Sequence, residues 1–449
     1  MIPWTRRSFL VKTPALSVAT PALGIAFGAA KGVGGAGKPA LLGGPKIRSE
    51  KFPSWPVSGE LEERALIETL RSGRWYRGNG QQTKKFEDAY LKLTGARHCL
   101  ATANGTSALY VALNALGIEA GDEVIVPPYT FIATINVVLR QHALPVFVDT
   151  NINTFQIDAT KIEAAISPRT KAIIPVHLGG SACDLDTILS VSRKHGIPVI
   201  EDACQAHLAE WRGHKVGTYG KAGCFSFQAS KNLTCGEGGA ILTDDDELYE
   251  RCYTFHNNGS GLKAPGGNFA YSGTGDNRRM VEMEAALLLQ QMTRLEEQSQ
   301  RRTANALYLT SLIKEIPGIT PAQMHDGCTR NAYHLYMFRY RRAEFAELPR
   351  TTFLKALTAE GIPASRGYSP LNKERFLKAA LESRSYQKLF PENVLRNWEE
   401  RNECPANNQL CSEAVWFTQN MFLGSKSDMD QIAEAIRKIK KHAGELTAA

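Results

Sequence analysis

Lys231 ends one apolar run and stands just ahead of another. The segment reads Cys224-Phe225-Ser226-Phe227-Gln228-Ala229-Ser230-Lys231, continues through Asn232-Leu233-Thr234-Cys235-Gly236-Glu237-Gly238-Gly239, and resumes as Ala240-Ile241-Leu242-Thr243. Polar and glycine residues between two strand-like runs make a turn, so one ammonium group is set beside a packed sheet. Burial there disfavours the charged form and lowers a lysine pKa. A neutral amine can form a Schiff base with a carbonyl compound. A lone lysine in a hairpin turn is ordinarily just a solvated charge, so the chemistry depends on what else faces it.

Three further features give it company. Asn104-Gly105-Thr106-Ser107 follows a strand-like run and opens a helical one. Free N–H groups and the helix dipole favour a phosphate there, and glycine permits close approach, although Ser and Thr at that place are commonly plain N-caps. Asp202 closes the run Ile197-Pro198-Val199-Ile200-Glu201, where a carboxylate can hold a protonated ring nitrogen or merely cap a helix. Phe131, in Pro127-Pro128-Tyr129-Thr130-Phe131, can stack on a flat ligand or fill a core. Taken singly, each has an ordinary structural explanation. Together they match one cofactor: pyridoxal 5'-phosphate needs a lysine for its aldehyde, an acid for its pyridinium, donors for its phosphate and a ring to stack on. The competing nucleotide motifs are missing. Gly217-Thr218-Tyr219-Gly220-Lys221 lacks the spacing of a phosphate loop, no Gly-x-Gly-x-x-Gly opens the first strand–helix turn, and there is no His-Glu-x-x-His or other metal-ligand spacing.

The elements that position these residues alternate. Strand-like runs at 99–102, 123–126, 144–148, 171–176 and 197–200 are interleaved with helical patterns at 108–116, 130–141, 161–166 and 185–195. Alternation of this kind predicts an α/β fold with right-handed crossovers and a mostly parallel sheet, whose ligands sit at the carboxyl ends of the strands. Helices are expected at 61–72 and 83–93. A long helix from about 280 leads to a smaller C-terminal domain with a strand at 333–340 and helices at 351–359 and 429–442. The expected division is a signal at 1–30, an arm at 31–55, a large cofactor-binding domain at 56–300 and a small α/β domain at 301–449.

Composition narrows the class. A chain of 449 residues, 43% hydrophobic and 22% charged, is ordinary for a globular enzyme. The formal charge of +8 includes Arg6, Arg7 and Lys12 at the N-terminus, and the other basic residues are interspersed with acids; nucleic-acid binding is not expected. Nine cysteines without Cys-x-x-Cys pairs read as reduced core residues. No later run reaches the length of a membrane span. Thr5-Arg6-Arg7-Ser8-Phe9-Leu10, a mildly apolar stretch and Gly28-Ala29-Ala30 match a twin-arginine export signal. That route carries folded, cofactor-loaded proteins, so a periplasmic location is expected; a chance Arg-Arg pair on a cytoplasmic protein is the alternative.

The chain resembles the DegT/DnrJ family of pyridoxal-phosphate-dependent sugar aminotransferases, of fold type I, from about residue 41 to 442. The resemblance rests on Gly121-Asp122-Glu123-Val124-Ile125-Val126-Pro127, Thr130-Phe131-Ile132-Ala133-Thr134, Pro175-Val176-His177-Leu178-Gly179-Gly180, Glu201-Asp202-Ala203-Cys204-Gln205-Ala206-His207 and residues 226–239. It implies that Lys231 is the Schiff-base lysine and proton carrier, and that Asp202 pairs with the pyridinium. Gln205 and Phe131 would touch the ring; Gly105, Thr106, Ser107 and Ser226 would bind the phosphate. Asn277 and Arg279, from an Asn-x-Arg motif, would complete the phosphate site of a neighbouring subunit, implying a homodimer with a shared site. The implied reaction moves an amino group from glutamate or glutamine to a keto-sugar, nucleotide-linked, or to a keto-inositol, as in polysaccharide biosynthesis. The segment after His207, Leu208-Ala209-Glu210-Trp211, departs from the family, which commonly has a glycine there. Two other readings share the fold. A pyridoxamine-dependent sugar dehydratase carries histidine in place of the lysine, and a sugar-binding sensor would survive loss of Lys231.

Overall fold

In the computed structural model, residues 37–262 and 271–448 are described; the twin-arginine segment lies outside them. The strands of the first half are β1 (His98–Thr102), β2 (Glu123–Val126), β3 (Leu144–Phe147), β4 (Thr170–Ile173) and β5 (Ile200–Asp202), the short hairpin β6 (Glu210–Trp211) and β7 (His214–Lys215), then β8 (Ala222–Ser226) and β9 (Gly239–Thr243). Two ladders, ordered β1-β9-β8-β5 and β3-β2-β4, join through parallel bridges from Ile173 to Val199 and from Val176 to Asp202. The result is one seven-stranded sheet in which only β9 runs against the rest.

Side chains alternate across this sheet with period two, and both faces are covered. Leu100, Ala222, Cys224 and Ile241 enter one apolar core with the helices Gly105–Ala115 and Ala133–Arg140. Their neighbours Cys99, Ala101, Phe225, Ala240 and Leu242 enter the other with Phe86, Tyr90 and Leu288. Burial on both sides explains the near-continuous apolar strands. The helix expected over 130–141 is Ala133–Arg140, leaving Thr130 and Phe131 in the loop that enters the cleft.

The long helix Glu282–Ile313 serves two cores. Ala285, Leu288 and Leu295 pack under the large sheet, whereas Ala306, Leu309 and Ile313 pack with a second sheet. That sheet is built from β10 (Ile319–Pro321), which is followed by the edge strand β11 (Cys328–Arg330) paired to β6, and from β12 (Leu335–Tyr340) and β13 (Ala414–Thr418), in the antiparallel order β10-β12-β13. Between β12 and β13 the chain returns to the large sheet. Leu377, Tyr386, Phe390 and Trp398 join the first core, with Tyr386 Oη donating to the Ala143 carbonyl at 2.8 Å and Trp398 Nε1 to that of Pro145 at 2.9 Å.

The arm is tied to the C-terminal elements by charge. The amides of Ala40 and Ile47 donate to the Glu360 carboxylate, which also pairs with Lys438 at 3.0 Å. Arg48 donates to Asp428 at 2.5 Å and to Gln431 at 2.6 Å. These bonds fix the stretch that carries Trp55 to the cleft. Among the described residues no helix is long and apolar enough to cross a membrane, and all nine cysteines are free thiols.

Candidate active site

A cleft of about 990 Å³ opens at the carboxyl ends of the central strands. Seven of the residues singled out from sequence line it: Gly105, Thr106, Phe131, Asp202, Gln205, Ser226 and Lys231. Each is positioned by its element. Asp202 ends β5 and is buried; its Oδ2 accepts from Thr134 Oγ1 at 2.8 Å and its Oδ1 from the Cys204 amide at 3.2 Å. Neither donor is charged. The preceding Glu201 anchors the same strand end. It accepts from the amides of Gly217, Tyr219 and Gly220, each at 2.7 Å, and lies 2.9 Å from His177 Nε2. Burial pushes the Glu201 carboxyl up, but the hydrogen bond from His177 and those of the backbone amides outweigh it and hold the pKa below the ordinary value.

Lys231 follows β8 on the turn, with its amide donating to the Gln228 carbonyl at 2.8 Å. Burial lowers its pKa, while Cys204 and Asp202 pull it back up. The amine is therefore more easily neutral than a solvated lysine, which is the state that attacks a carbonyl. Beneath the β8 end, His207 Nε2 lies 2.8 Å from the Ser226 carbonyl and burial drops its pKa to about 4. It acts as a neutral strut.

The phosphate-type cradle is the start of the helix Gly105–Ala115 against β8. Asn104 caps that helix by accepting from the Ser107 amide at 2.8 Å. A Cβ at Gly105 would come within 2.6 Å of Ser226 Cβ and 2.9 Å of Cys204 Sγ, so glycine is what allows the helix start to abut the strand. Ser107 is buried and does not line the cleft. Its Oγ is buried with no hydrogen-bond partner among the described residues, a polar atom awaiting an acceptor. Phe131 is 54% exposed, which an aromatic meant only for core would not be.

Asn277 and Arg279 lie outside this cleft. Asn277 bridges to Asn257 and Arg279 to Thr102; Arg279 donates to Asn257 Oδ1 at 3.1 Å and stands over the Tyr76 ring. Other cleft residues escaped the sequence reading. Tyr368 accepts from Gln205 Nε2 at 3.1 Å, while Gln205 Oε1 accepts from the Gly179 amide at 2.7 Å. Trp416 comes from β13, His334 from just before β12, Gln419 and Asn420 from the turn after β13, and Trp55 from the arm. Burial and the nearby Lys231, His207 and Arg302 keep His334 well below the ordinary histidine pKa. Leu208 adopts φ 66°, the left-handed conformation that glycine takes without strain, which accounts for the glycine commonly found there.

Pyridoxal phosphate fits this donor set: a half-buried amine, a buried carboxylate, a capped helix start and an exposed ring on one cleft, with an unpartnered hydroxyl on the same helix start behind it. Comparison with known proteins agrees. Residues 56–436 match the DegT/DnrJ/EryC1/StrS aminotransferase family. The chain is 38% identical to the L-glutamine:2-deoxy-scyllo-inosose aminotransferase of Streptoalloteichus tenebrarius, across 91% of this chain and 99% of that protein. It is 35% identical to the L-glutamine:scyllo-inosose aminotransferase of Streptomyces griseus, with the same coverage. Among solved structures, 3-amino-5-hydroxybenzoic acid synthase superposes with a TM-score of 0.79 at 31% identity, covering 87% of this chain and 99% of that one. The aminotransferase from Psychrobacter cryohalolentis superposes with a TM-score of 0.78 at 31% identity, covering 88% and 100%. The chain belongs to the DegT/DnrJ/EryC1/StrS aminotransferase family and is a pyridoxal-phosphate-dependent aminotransferase of fold type I.

Proposed function

We propose that the enzyme transfers the amino group of L-glutamine to the ketone of a free keto-inositol, releasing 2-oxoglutaramate. The observation that carries this reading is the lining of the cleft. Apart from Lys231, no lysine or arginine lines it among the described residues; the wall opposite the strand ends is aromatic and neutral-polar, with Trp55, Tyr368, Trp416, Gln419 and Asn420. An indole face and amide groups suit a cyclic polyol, whereas a nucleotide diphosphate calls for cations. The names of the relatives from Streptoalloteichus and Streptomyces support the same donor and acceptor.

When bound, the cofactor supplies an aldehyde that takes up amines and a ring that absorbs negative charge. The chain's own groups do the rest. Lys231 would hold the cofactor through its aldehyde, and its amine, made easier to deprotonate by burial, would serve as the proton carrier of the site. Asp202 would hold the protonated ring nitrogen. Gln205, fixed by Gly179 and Tyr368, and Phe131 would bear on the cofactor ring. Gly105, Thr106, Ser107 and Ser226 bind the phosphate. Asn277 and Arg279, outside their own cleft, reach the site of a neighbouring subunit in a homodimer. Residues 56–300 and 301–449 act as the two domains that form the cleft, and residues 1–30 direct export of the loaded enzyme to the periplasm.

Purified enzyme incubated with L-glutamine should form 2-oxoglutaramate in a single turnover without acceptor, and should then aminate scyllo-inosose or 2-deoxy-scyllo-inosose, detected by mass spectrometry. Turnover with a nucleotide-linked keto-sugar but with neither inositol ketone would overturn the acceptor assignment. Light scattering tests the dimer, and fractionation of cells expressing the full chain tests export.

A further inference from the structure

Arg302, on the long helix, is fully buried. Its Nε donates to Gln419 Oε1 at 2.9 Å, and its Cζ lies 5.1 Å from the centre of the Trp55 ring. Nη1 and Nη2 have no hydrogen-bond partner among the described residues. Among the described residues no carboxylate pairs with it; burial alone pushes the pKa down, to about 9, so the group is still a cation at neutral pH. A buried, unpaired guanidinium is costly, and an apolar residue of similar volume is often the more stable choice. Something other than stability has to explain it.

The two side chains that Arg302 touches, Gln419 and Trp55, both line the cleft. They come from opposite ends of the sequence, and one arginine organises them. The cleft must also serve two dissimilar molecules in turn: a donor that carries a carboxylate, and an acceptor that, on the functional reading above, carries no charge. An arginine exposed in the cleft would favour the first and leave an unpaired cation facing the second. A cation hidden behind an amide and an indole suits both.

We propose that Arg302 is a positioning residue for the amino donor. It holds Gln419 and Trp55 in the cleft wall, and its unpaired charge draws the donor carboxylate to that wall, where the polyol meets an amide and an indole. The inference rests on the glutamine–inositol reading.

The test compares wild-type holoenzyme with R302M, R302K and Q419E. Calorimetry measures the affinity for glutarate, an unreactive dicarboxylate, and for scyllo-inositol, an unreactive polyol; single-turnover kinetics separate glutamine KM from kcat. Taking a separation of roughly 8 Å and an effective dielectric constant near 20, R302M should weaken glutarate binding and raise the glutamine KM roughly 10- to 100-fold. scyllo-Inositol affinity should change much less, and R302K should restore most of the glutarate affinity. Q419E places a carboxylate against Nε, neutralises the field without removing the arginine, and should likewise weaken glutarate; it carries the test if R302M does not fold. Equal weakening of both ligands by R302M, or unchanged glutarate binding in R302M or Q419E, would overturn the proposal. If wild type forms no 2-oxoglutaramate from glutamine, the functional reading fails and this inference goes with it. Normal wild-type turnover with an unaltered R302M sinks the Arg302 role alone.

Discussion

Asp202→Asn separates charge from shape at the site. The side chain is buried and accepts from Thr134 Oγ1 at 2.8 Å and from the Cys204 amide at 3.2 Å. Asparagine can keep the second bond with its carbonyl oxygen and donate to the Thr134 hydroxyl, which can turn toward Thr130 Oγ1, 3.0 Å away. Little stability should be lost. The negative charge that holds a proton on the cofactor ring is lost, however, and removing one partner of a buried charge pair costs roughly 2–5 kcal/mol. At about 1.4 kcal/mol per decade, the donor half-reaction should slow roughly 30- to 5,000-fold. A second readout is independent of turnover. Asp202 raises the Lys231 pKa against the larger effect of burial, so in D202N the free amine should appear at still lower pH. Stopped-flow absorbance with glutamine measures the first effect. The pH dependence of cofactor uptake by the apoprotein measures the second. A D202N enzyme within threefold of wild type in the half-reaction, or with an uptake midpoint that rises, would refute the reasoning.

In the wild-type apoprotein, cofactor uptake should reach half its limiting rate below the ordinary lysine pKa of 10.5, because burial depresses Lys231; a midpoint at or above that value would contradict the placement. Glu201→Gln should lower stability by about 3–5 kcal/mol, because an amide NH₂ must then face an amide N–H that now donates to the carboxylate. Across a chain this long that corresponds to roughly 4–6 °C in Tm by calorimetry. The pKa of Glu201 is depressed in the fold, so its contribution is present above the unfolded carboxylate value and lost as pH falls through the folded one; E201Q should flatten that acid limb. Leu208→Gly sets relief of left-handed strain, about 1–2 kcal/mol, against loss of a buried leucine that packs in the core under the sheet, typically 2–5 kcal/mol. Packing should win, giving a net loss of about 1–3 kcal/mol on the same scales; a stabilised variant would show that the backbone strain dominates.

The strands and helices around the cleft were legible because their signals are local. Glu123-Val124-Ile125-Val126 is an uninterrupted strand pattern bounded by Asp122 and Pro127, and it is β2 as expected. Leu185 to His195 carries a helical period, an aspartate cap and a glycine stop, and it is the helix Leu185–His195. Gly105, Asp202 and Lys231 could be grouped because parallel sheets collect strand ends on one side, so residues following separate strands converge without any contact being known in advance. The opposite wall has no such rule. Trp55, His334, Tyr368 and Gln419 reach the cleft from an arm and a second sheet, and only long-range packing brings them there. Tyr368 bonds Gln205 across 163 positions, and no periodicity in either segment announces it.

Arg302 shows how such a residue hides and what would have exposed it. In Gln300-Arg301-Arg302 it reads as one of a solvated pair. Its neighbour behaves so: Arg301 pairs with Glu297 one turn away, largely in solvent. But residues 295, 299, 302, 306 and 309 fall on one face at helical spacing, and that face carries Leu295, Ser299, Ala306 and Leu309, all buried. An arginine on the apolar stripe of a helix that bridges two cores is out of place by the ordinary rules of burial. Such a conflict between residue type and position is what a functional constraint looks like in a sequence. The pair that Arg302 contacts is harder still to read from sequence. Neither Gln419 nor Trp55 has a chemical signature of its own, and their place in the wall follows from a charge that the fold would be more stable without.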